Sequence, residues 1–372
     1  MKKYDFLIVG AGLFGSVFAQ QAIENGYTCL IIDKRKHNGG NVYTENVEGI
    51  NIHKYGAHIF RTSDDKLWEY VNRFTKFNNY TNRVKVSYKN EIYSFPINLL
   101  TLNKVFGCKT PEEAILKLEE VKVSINSITK NLEEHLLSTI GEDLYKIFFY
   151  GYTKKQWGRE PKLLPKSIIS RIPIRTNFDD NYFNDKYQGI PIGGYTKMIE
   201  KMQKGADLVL EEDYFENKNK WDSISNMIVY TGPIDQFYDY KFGKLEYRSL
   251  KFEEIKINKS DYQGCAVMNF TDDKIEYTRI IEHKHFEFGN QKFTIISKEY
   301  PQKWSIGKEP YYPINDDKNN NIYLKYKKVS KEDKKIIFGG RLAEYRYYDM
   351  QQVIASALSK FKKLNLENKN NS

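Results

Sequence analysis

The sequence predicts an α/β fold in which a parallel-sheet domain is interrupted by a helical bundle and an antiparallel β-sheet. Three observations predict this organisation. The chain opens with an apolar strand, a glycine-rich turn and a helix. Similar strand-and-glycine signals return at residues 227–233 and 335–341, and the sequence between changes from helical to alternating patterns. We therefore expect the parallel-sheet domain to be assembled from separate chain segments.

The first forty residues are typical of a βαβ unit. An apolar strand at 4–9 leads into the GAGLFG motif at 10–15. A helix follows and ends at Gly26, and a second strand begins near Thr28 and ends at Asp33. A glycine motif alone is weak evidence, because chance turns also use glycine. Its position between a strand and a helix makes it a specific signal.

The residues of this motif have separate roles in a dinucleotide site. Gly10 permits a tight turn, Gly12 lets a pyrophosphate approach the backbone, and Gly15 lets the helix pack closely on the strand. The helix N-terminus supplies amide donors and a partial positive charge. Asp33 is placed to accept hydrogen bonds from ribose hydroxyls. The unit therefore predicts dinucleotide binding.

Later segments complete the coarse organisation. Residues 98–158 show a helical pattern with a clear helix start at Thr110-Pro111, and residues 245–297 alternate like antiparallel strands. A last buried strand at 335–338 precedes a helix from about Met350 to Lys362. We expect a discontinuous dinucleotide-binding domain at 1–80, 190–240 and 313–364, a helical domain at 98–165, an antiparallel sheet and substrate domain at 81–97, 166–189 and 241–312, and a disordered tail at 365–372.

Composition excludes several classes of protein. The chain has 372 residues, of which 40% are hydrophobic and 28% charged, so disordered and collagen-like architectures are excluded. The apolar runs are only strand-length, and the N-terminus leads directly into a strand, so we expect neither membrane insertion nor a signal peptide. The cysteines, Cys29, Cys108 and Cys265, are scattered and odd in number. This pattern predicts no disulfide framework or zinc site and favours a cytoplasmic location.

The net charge of +10 has two interpretations. It could reflect an anionic partner, such as nucleic acid, a membrane surface or a phosphorylated small molecule, or simply solvated lysines. The basic residues are scattered without a long run, so we expect no nucleic-acid partner. The 29 tyrosines are more than a core needs and are typical of sugar and nucleotide sites.

FAD fits the glycine signals better than NAD. An acid and a basic pair at 33–35, followed by Gly39-Gly40, resemble the second phosphate-contact region of two-dinucleotide-binding flavoproteins. The YTG sequence at 230–232 and the GGR sequence at 339–341 resemble later FAD contacts in the same superfamily. A domain that binds only NAD does not need the strand, Gly-Gly-Arg sequence and helix near the C-terminus.

Longer motifs resemble a narrower family, the bacterial UDP-galactopyranose mutases. The resemblance covers nearly the whole chain. The matching segments are GAGLFG (10–15), GGN (39–41), KYGAHIF (54–60), GYTKKQWG (151–158), YTGPID (230–235), YTRIIEHK (277–284), EPYYP (309–313) and the stretch from GGR to YYDM (339–350).

The resemblance implies an activity and an architecture. It implies a three-part enzyme, a homodimer, that interconverts the six-membered and five-membered ring forms of UDP-galactose. It also implies FAD that is active when reduced. Reduced flavin N5 would attack the anomeric carbon of the UDP-sugar and displace UDP. The alternatives are an FAD-dependent amine oxidase-type oxidoreductase, which would lack the paired arginines, and a basic binding module without enzymatic activity.

The resemblance also implies site residues. Arg171 and Arg279 correspond to arginines that clamp the diphosphate, and His58 to a histidine near the flavin. A lone arginine is usually a surface ion pair, but Arg279 lies within an alternating strand pattern, an unusual place for one. The implied substrate contacts are Asn82, Phe148, Tyr152, Thr153, Trp157, Tyr182, Asn269, Tyr311 and Tyr347. The implied cofactor contacts are Gly10, Gly12, Leu13, Phe14, Gly15, Asp33, Lys34, Gly40, Asn41, His58, Gly232, Arg341, Asp349 and Met350.

Several of these residues have simpler alternatives. Phe148 and Tyr152 correspond to a uracil-stacking pair, but they could equally form a packed aromatic stripe. Tyr312 is the alternative to Tyr311 if the alignment shifts by one residue. His283 and His285 have a spacing that some metal sites use, but the sequence shows no Cys or carboxylate cluster near them, and we expect no metal.

One residue departs from the family pattern. The usual sequence GAHIFHT is GAHIFRT here, which places Arg61 where histidine is common. Arginine is longer and only donates hydrogen bonds. Arg61 could therefore reach a 2-acetamido group, which predicts activity on UDP-N-acetylgalactosamine as well as on UDP-galactose. The alternative is that Arg61 faces solvent and the enzyme uses UDP-galactose only.

Overall fold

The computed structural model describes residues 3–125, 129–168 and 173–370. The chain divides into two compact units. Unit 1 comprises Met1–Asn79, Asp185–Tyr247 and Tyr312–Ser372, and unit 2 comprises Tyr80–Asn184 and Arg248–Tyr311. The sequence predicts three parts, whereas the structure places the helical segment and the antiparallel sheet in one unit.

The strands in chain order are β1 (Tyr4–Val9), β2 (Cys29–Asp33), β3 (Thr44–Val47), β4 (Ile50–His53), β5 (Phe60–Thr62), β6 (Val84–Tyr88), β7 (Glu91–Phe95), β8 (Tyr187–Gly189), β9 (Asp207–Leu210), β10 (Ser225–Tyr230), β11 (Tyr247–Ile257), β12 (Val267–Phe270), β13 (Arg279–Glu282), β14 (Thr294–Lys303), β15 (Tyr312–Pro313) and β16 (Ile336–Phe338).

The α-helices in chain order are α1 (Leu13–Glu24), α2 (Asp65–Asn72), α3 (Leu99–Phe106), α4 (Pro111–Val121), α5 (Leu132–Tyr145), α6 (Gly151–Trp157), α7 (Tyr195–Met202), α8 (Lys218–Ser223), α9 (Ile234–Phe237), α10 (Asp317–Ser330), α11 (Gly340–Ala343) and α12 (Met350–Asn370). None of the described helices is both long enough and apolar enough to cross a bilayer.

Unit 1 is built on a parallel sheet with strand order β16-β10-β1-β2-β9. Phe6, Leu7 and Ile8 in β1 are all buried, as expected for a strand covered on both faces. Helix α1 packs under the sheet, where Phe18 meets Phe361 of α12 edge-on at a ring separation of 5.4 Å. The structure confirms the predicted α/β class and the N-terminal βαβ unit.

All strands of this sheet point the same way, so their C-terminal ends share one edge. At that edge β1 is followed by Gly10, β10 by Thr231 and β16 by Gly339. Ligands of open parallel sheets bind outside this edge, where the loops and helix N-termini converge. The sheet order therefore brings the predicted glycine signals from both ends of the chain together.

Unit 2 combines an antiparallel sheet with the helices α3 to α6. Its strands follow the order β11-β14-β13-β12-β6-β7, antiparallel except for the β12–β6 pair. Thr110 caps α4 by accepting a hydrogen bond from the Glu113 amide at 3.2 Å, as the sequence predicts. Gly141, with a φ of 76°, kinks α5 and divides it into two helical segments.

Two other helical details differ from the sequence-based expectation. A π-helical turn, Lys146–Tyr150, stands between α5 and α6. Helix α12 continues to Asn370, beyond its predicted end near Lys362 and into the tail 365–372 that was expected to be disordered. The polar composition of that tail did not indicate this continuation.

Candidate active site

The glycine turns at the sheet edge of unit 1 lie in direct backbone contact. Gly10 has a φ of +115°, and a Cβ there would lie 2.0 Å from Thr231 Oγ1. Gly40 has a φ of +54°, and its Cβ would lie 2.8 Å from the Cα of Gly12. A Cβ on Gly15 would lie 2.2 Å from the Gly10 carbonyl oxygen. Side chains are excluded from this cradle, which leaves backbone amides exposed to a ligand's phosphates.

Asp33 connects the ends of β1 and β2. One carboxylate oxygen accepts from the Ala11 amide at 2.8 Å, and the other accepts from the Arg35 amide at 2.9 Å. Each carboxylate oxygen can accept a further hydrogen bond, so the group fits a ribose diol. Asp33 is therefore the last residue of β2, as the sequence predicts.

Arg35 joins this group although sequence reasoning did not select it as a contact residue. Its guanidinium donates to the Asn41 side chain at 3.0 Å and lies 4.5 Å from the ring centre of Tyr55. Lys34, which the sequence did select, is exposed. The signal for Arg35 was the basic pair after Asp33, of which it is the second member.

Leu13 and Phe14 contact the edge differently from the glycines. Both side chains are buried in the core of unit 1. The Phe14 ring packs against Gly339, where a Cβ would lie 2.0 Å from the ring. Their expected cofactor contacts can therefore come only from the backbone at the start of α1.

One of the C-terminal cofactor candidates, Asp349, contacts Arg61. Its guanidinium forms ion pairs with Asp185 and with Asp349, the latter at 2.6 Å. Asp349 immediately precedes Met350, the first residue of α12. Arg341 donates to the Tyr348 carbonyl oxygen at 2.7 Å and lies 5.2 Å from the ring centre of Tyr347. Arg61 therefore anchors the N-terminus of α12.

His58 and Gly232 complete the predicted set in unit 1. The His58 imidazole Nδ1 lies 2.7 Å from the Gly56 carbonyl oxygen, and its backbone amide donates to His53 Nδ1 at 3.2 Å. These contacts fix the ring orientation. A Cβ on Gly232 would lie 2.5 Å from the Tyr230 hydroxyl.

In unit 2 the register of the sheet places three polar residues side by side. Asn269 of β12 is directly opposite Arg279 of β13, and Arg279 is directly opposite Glu299 of β14. The Arg279 Nε donates to Asn269 Oδ1 at 3.1 Å, and a terminal nitrogen lies 3.5 Å from a Glu299 carboxylate oxygen. The Glu299 side chain is only 2% exposed. A buried carboxylate on one side of the guanidinium holds it in one orientation.

Helix α6 covers this polar row. Arg279 donates to the Tyr152 hydroxyl at 3.0 Å, so a helix residue contacts a residue of the sheet. Three residues that the sequence proposed separately, Tyr152, Asn269 and Arg279, therefore form one hydrogen-bonded group. Thr153, the next residue of α6, is buried, and Trp157 ends the helix.

Phe148 and Tyr152 do not share one environment. Phe148 lies in the π-helical turn, is 2% exposed, and stacks on Phe95 at a ring separation of 5.7 Å. Tyr182 also packs against Phe95, at 5.9 Å. The packed aromatic alternative therefore describes Phe148, whereas Tyr152 contacts Arg279.

The remaining substrate candidates are positioned by backbone contacts. Asn82 is buried and its carbonyl oxygen accepts from the Tyr182 amide at 2.9 Å. Tyr311 is 5% exposed and lies in unit 2, whereas its alternative, Tyr312, lies in unit 1 and packs edge-on against Tyr347 at 5.2 Å. Arg171 lies outside the described residues.

The two histidines with metal-type spacing contact different groups. His283 Nε2 lies 2.7 Å from Ser297 Oγ. His285 Nε2 lies 3.3 Å from Glu282 and 3.4 Å from Asp261, and the neighbouring Glu282 carboxylate raises the pKa of the His285 imidazole. Sequence reasoning missed Asp261 because it comes from a segment distant in sequence, and it overlooked Glu282 although that residue adjoins His283 in the chain. Asp261, Glu282 and His285 thus form one cluster, in which a protonated His285 would pair with the two acids, and the expectation of no metal stays a prediction.

Comparisons with known proteins place the chain in one family. A family model described as UDP-galactopyranose mutase matches residues 147–347, and a model of an NAD(P)-binding Rossmann-like domain matches residues 8–74. A dTDP-fucopyranose mutase of Escherichia coli is 41% identical over 361 residues, covering 95% of this chain and 96% of that protein. A Klebsiella pneumoniae protein described as a probable UDP-galactopyranose mutase is 43% identical over 364 residues, covering 96% of this chain and 94% of that protein.

The fold agrees with these matches. A crystal structure of reduced UDP-galactopyranose mutase superposes with a TM-score of 0.74 at 14% identity, covering 98% of this chain and 94% of that one. The Rossmann-like domain and the mutase family together imply a flavin cofactor. The chain belongs to the UDP-galactopyranose mutase family, whose members are isomerases.

Proposed function

We propose that the protein interconverts the pyranose and furanose forms of UDP-galactose and uses bound FAD in its reduced state. The observation that carries this proposal is the polar row in unit 2. Arg279 is oriented by Asn269, Tyr152 and the buried Glu299, which is the preparation that a diphosphate-binding guanidinium needs. The family match and the glycine cradle of unit 1 supply the context.

The residues of unit 1 fit FAD. The backbone cradle at Gly10, Gly12 and Gly40 suits a pyrophosphate, and Asp33 suits a ribose. The N-terminus of α12, held by the Arg61–Asp349 ion pair, offers amide donors to the flavin end. Bound and reduced, FAD would supply a nucleophilic nitrogen, N5, for the anomeric carbon of the UDP-sugar, and the residues named above would hold it in place.

The chain itself has to bind and stabilise the leaving group. A diphosphate that departs from the anomeric carbon gains negative charge, and a guanidinium held in advance meets that charge without reorganisation. Two arginine N–H groups already donate to neutral oxygens of Asn269 and Tyr152, so the plane of the guanidinium is fixed. Arg171 is proposed as a second clamp from its sequence position alone.

The identity of the sugar and base depends on small differences. One relative is named for dTDP-fucopyranose and another for UDP-galactopyranose. Thymine differs from uracil by one methyl group, and fucose lacks the 6-hydroxyl of galactose. We propose UDP-galactose because the family model carries that name. A direct comparison of kcat/KM for UDP-galactopyranose and dTDP-fucopyranose on the reduced protein tests this choice, and a preference for the fucose nucleotide would contradict it.

The predicted activity on UDP-N-acetylgalactosamine has lost its main support. It rested on Arg61 as a long donor toward the C2 substituent, but Arg61 is engaged by Asp185 and Asp349. It remains testable with Arg61→His, assayed with both sugars. We expect both activities to change by the same factor, because the substitution disturbs α12 rather than a sugar contact. Selective loss on the acetamido sugar would restore the original interpretation.

Two further proposals concern assembly and location; the first is implied by the family resemblance and the second by the scattered, odd-numbered cysteines. We propose a homodimer, which light scattering on the purified protein would test directly. We also propose a cytoplasmic location, which cell fractionation would test. A monomer at micromolar concentration would overturn the first, and recovery in a membrane or extracellular fraction would overturn the second.

A further inference from the structure

Lys155 of α6 makes an unusual set of contacts. Its ammonium group lies within hydrogen-bond distance of four backbone carbonyl oxygens, those of Phe270 at 2.8 Å, Asp272 at 2.8 Å, Ile275 at 2.9 Å and Tyr277 at 3.1 Å, which share its three N–H groups. Most lysines in proteins point to solvent or pair with an exposed carboxylate. The neighbouring Lys154 does so, because it is 42% exposed and lies 2.8 Å from Glu160.

Three of the four carbonyls, those of Asp272, Ile275 and Tyr277, belong to the connection between β12 and β13, and the fourth belongs to Phe270, the last residue of β12. This connection, residues 271–278, begins two residues after Asn269 and ends directly before Arg279. The other end of the contact is also near the site, because Lys155 follows Tyr152 by one helical turn. The ammonium group therefore joins helix α6, which supplies Tyr152, to the β12–β13 pair, which supplies Asn269 and Arg279.

Helix α6 touches the same connection at its first residue. A Cβ on Gly151 would lie 2.2 Å from the Thr271 carbonyl oxygen, so the two backbones are in direct contact. The Thr271 hydroxyl donates to the Ile147 carbonyl oxygen at 2.6 Å. At the other end of α6, Arg248 Nε donates to the Gln156 carbonyl oxygen at 2.8 Å. The helix is thus fixed at both ends.

We propose that Lys155 is a positioning residue for the mutase reaction. It acts through Arg279, because it fixes the β12–β13 connection on α6 and so sets the distance from the guanidinium to the Tyr152 hydroxyl. The inference rests on the proposed role of Arg279 as the diphosphate clamp. Four converging carbonyl dipoles need a cation between them, and without one they repel one another and lose their hydrogen-bond partner.

Four variants of the FAD-loaded, reduced protein test the proposal with UDP-galactopyranose as substrate. They are Lys155→Met, Lys155→Arg, Arg279→Ala and the double variant Lys155→Met/Arg279→Ala. Lys154→Met is the matched control, because it removes the adjacent lysine and, with it, an ion pair with Glu160 and a long contact of 3.4 Å with the Tyr150 hydroxyl. Circular dichroism and the flavin spectrum establish that each variant is folded and loaded.

We expect Lys155→Met to lower kcat/KM by about 10²-fold, the loss typical of a small displacement of a catalytic group. Lys155→Arg should recover part of that loss, since it restores the charge, and Lys154→Met should stay within about twofold. The double variant should be no worse than Arg279→Ala, because residues that act through one group are not additive.

Three results would overturn the proposal. The first is a folded Lys155→Met with wild-type kcat/KM beside an inactive Arg279→Ala, which would leave the proposed function intact. The second is a double variant whose loss equals the product of the single losses. The third is an active Arg279→Ala, which would remove the clamp and the positioning role together. If Lys155→Met does not fold, Lys155→Arg takes its place in the same cycle.

Discussion

At the scale of single residues, Arg279 combines a proposed catalytic role with a structural role in the fold. In its proposed role it meets a developing diphosphate charge, and it also pairs with the buried Glu299 at 3.5 Å. Removing a guanidinium beside a buried carboxylate leaves that carboxylate without its partner, which destabilises the fold. Any test of Arg279 therefore has to separate lost chemistry from lost stability.

We expect Arg279→Ala to lower kcat by about 10²-fold or more, the usual cost of removing one preorganised donor to a developing anion. Its melting temperature should also fall, because Glu299 is left unpaired. The companion variant Arg279→Ala/Glu299→Gln should recover stability but not turnover. Arg83→Ala, which removes an exposed arginine paired with Asp180, is the control and should match the wild type. Wild-type turnover by folded Arg279→Ala would contradict the assignment.

Lys155 also predicts a pH dependence. Burial lowers the pKa of Lys155 to about 8, against the opposing influence of Asp272 and Asp273 on the connection. Arg248 of β11 faces the Lys155 backbone carbonyl, and Glu299 of β14 is committed to Arg279. The ammonium form is therefore present below pH 8 and lost above it.

We expect kcat/KM of the wild type to decline as the pH rises through about 8, since the neutral amine cannot hold the four carbonyls. Lys155→Arg should lack this decline, because a guanidinium stays protonated. The measurement is kcat/KM between pH 6.5 and pH 9.5 under anaerobic conditions with reduced protein. Identical alkaline limbs in the two proteins would show that another group titrates.

At the scale of elements, we expect the glycine turns of unit 1 to position the cofactor, because they keep side chains away from the backbone there. Gly40 and Gly26 both have positive φ values, +54° and +83°. They differ in surroundings, because a Cβ on Gly40 would lie 2.8 Å from Gly12 Cα, whereas a Cβ on Gly26 meets nothing within 4 Å. Alanine at either position strains the backbone, but only alanine at Gly40 also disturbs the cradle. Comparing the two variants therefore separates these effects.

We expect Gly40→Ala to lose most of its bound flavin, since the new methyl group pushes Gly12 out of the phosphate cradle. Gly26→Ala should lose some stability but keep its flavin. The measurement is the ratio of flavin absorbance to protein absorbance after gel filtration, with the melting temperature as a second value. Equal flavin retention by the two variants would contradict the cradle.

The elements also show which features can be predicted from sequence. The βαβ unit of unit 1 was predictable because its strand, glycine turn and helix are local patterns. The alignment of Asn269, Arg279 and Glu299 was not, because it depends on the register of three strands. The π-helical turn that separates Phe148 from Tyr152 has no sequence signature comparable to a cap or a glycine. The contacts of Lys155 could not be predicted from the sequence either, because the partners of its ammonium group are backbone carbonyl oxygens, which every residue has.

At the scale of the whole molecule, the division into two units does not follow the order of the chain. Each unit is assembled from separate segments, so residues distant in sequence share one unit. The sequence predicted this discontinuity from its repeated glycine signals. It did not predict that the helices and the antiparallel sheet form one unit, because their association depends on contacts such as those of Lys155 with the β12–β13 connection.

The central claim is that this chain is a mutase that needs reduced flavin although its reaction has no net redox change. The most direct measurement is anaerobic conversion of UDP-galactopyranose, followed by chromatography, with the same preparation fully oxidised and then reduced by dithionite. We predict conversion to the furanose by the reduced protein only, with the flavin spectrum unchanged after many turnovers. Equal turnover by the rigorously oxidised protein, or progressive oxidation of the flavin in step with product, would contradict the claim.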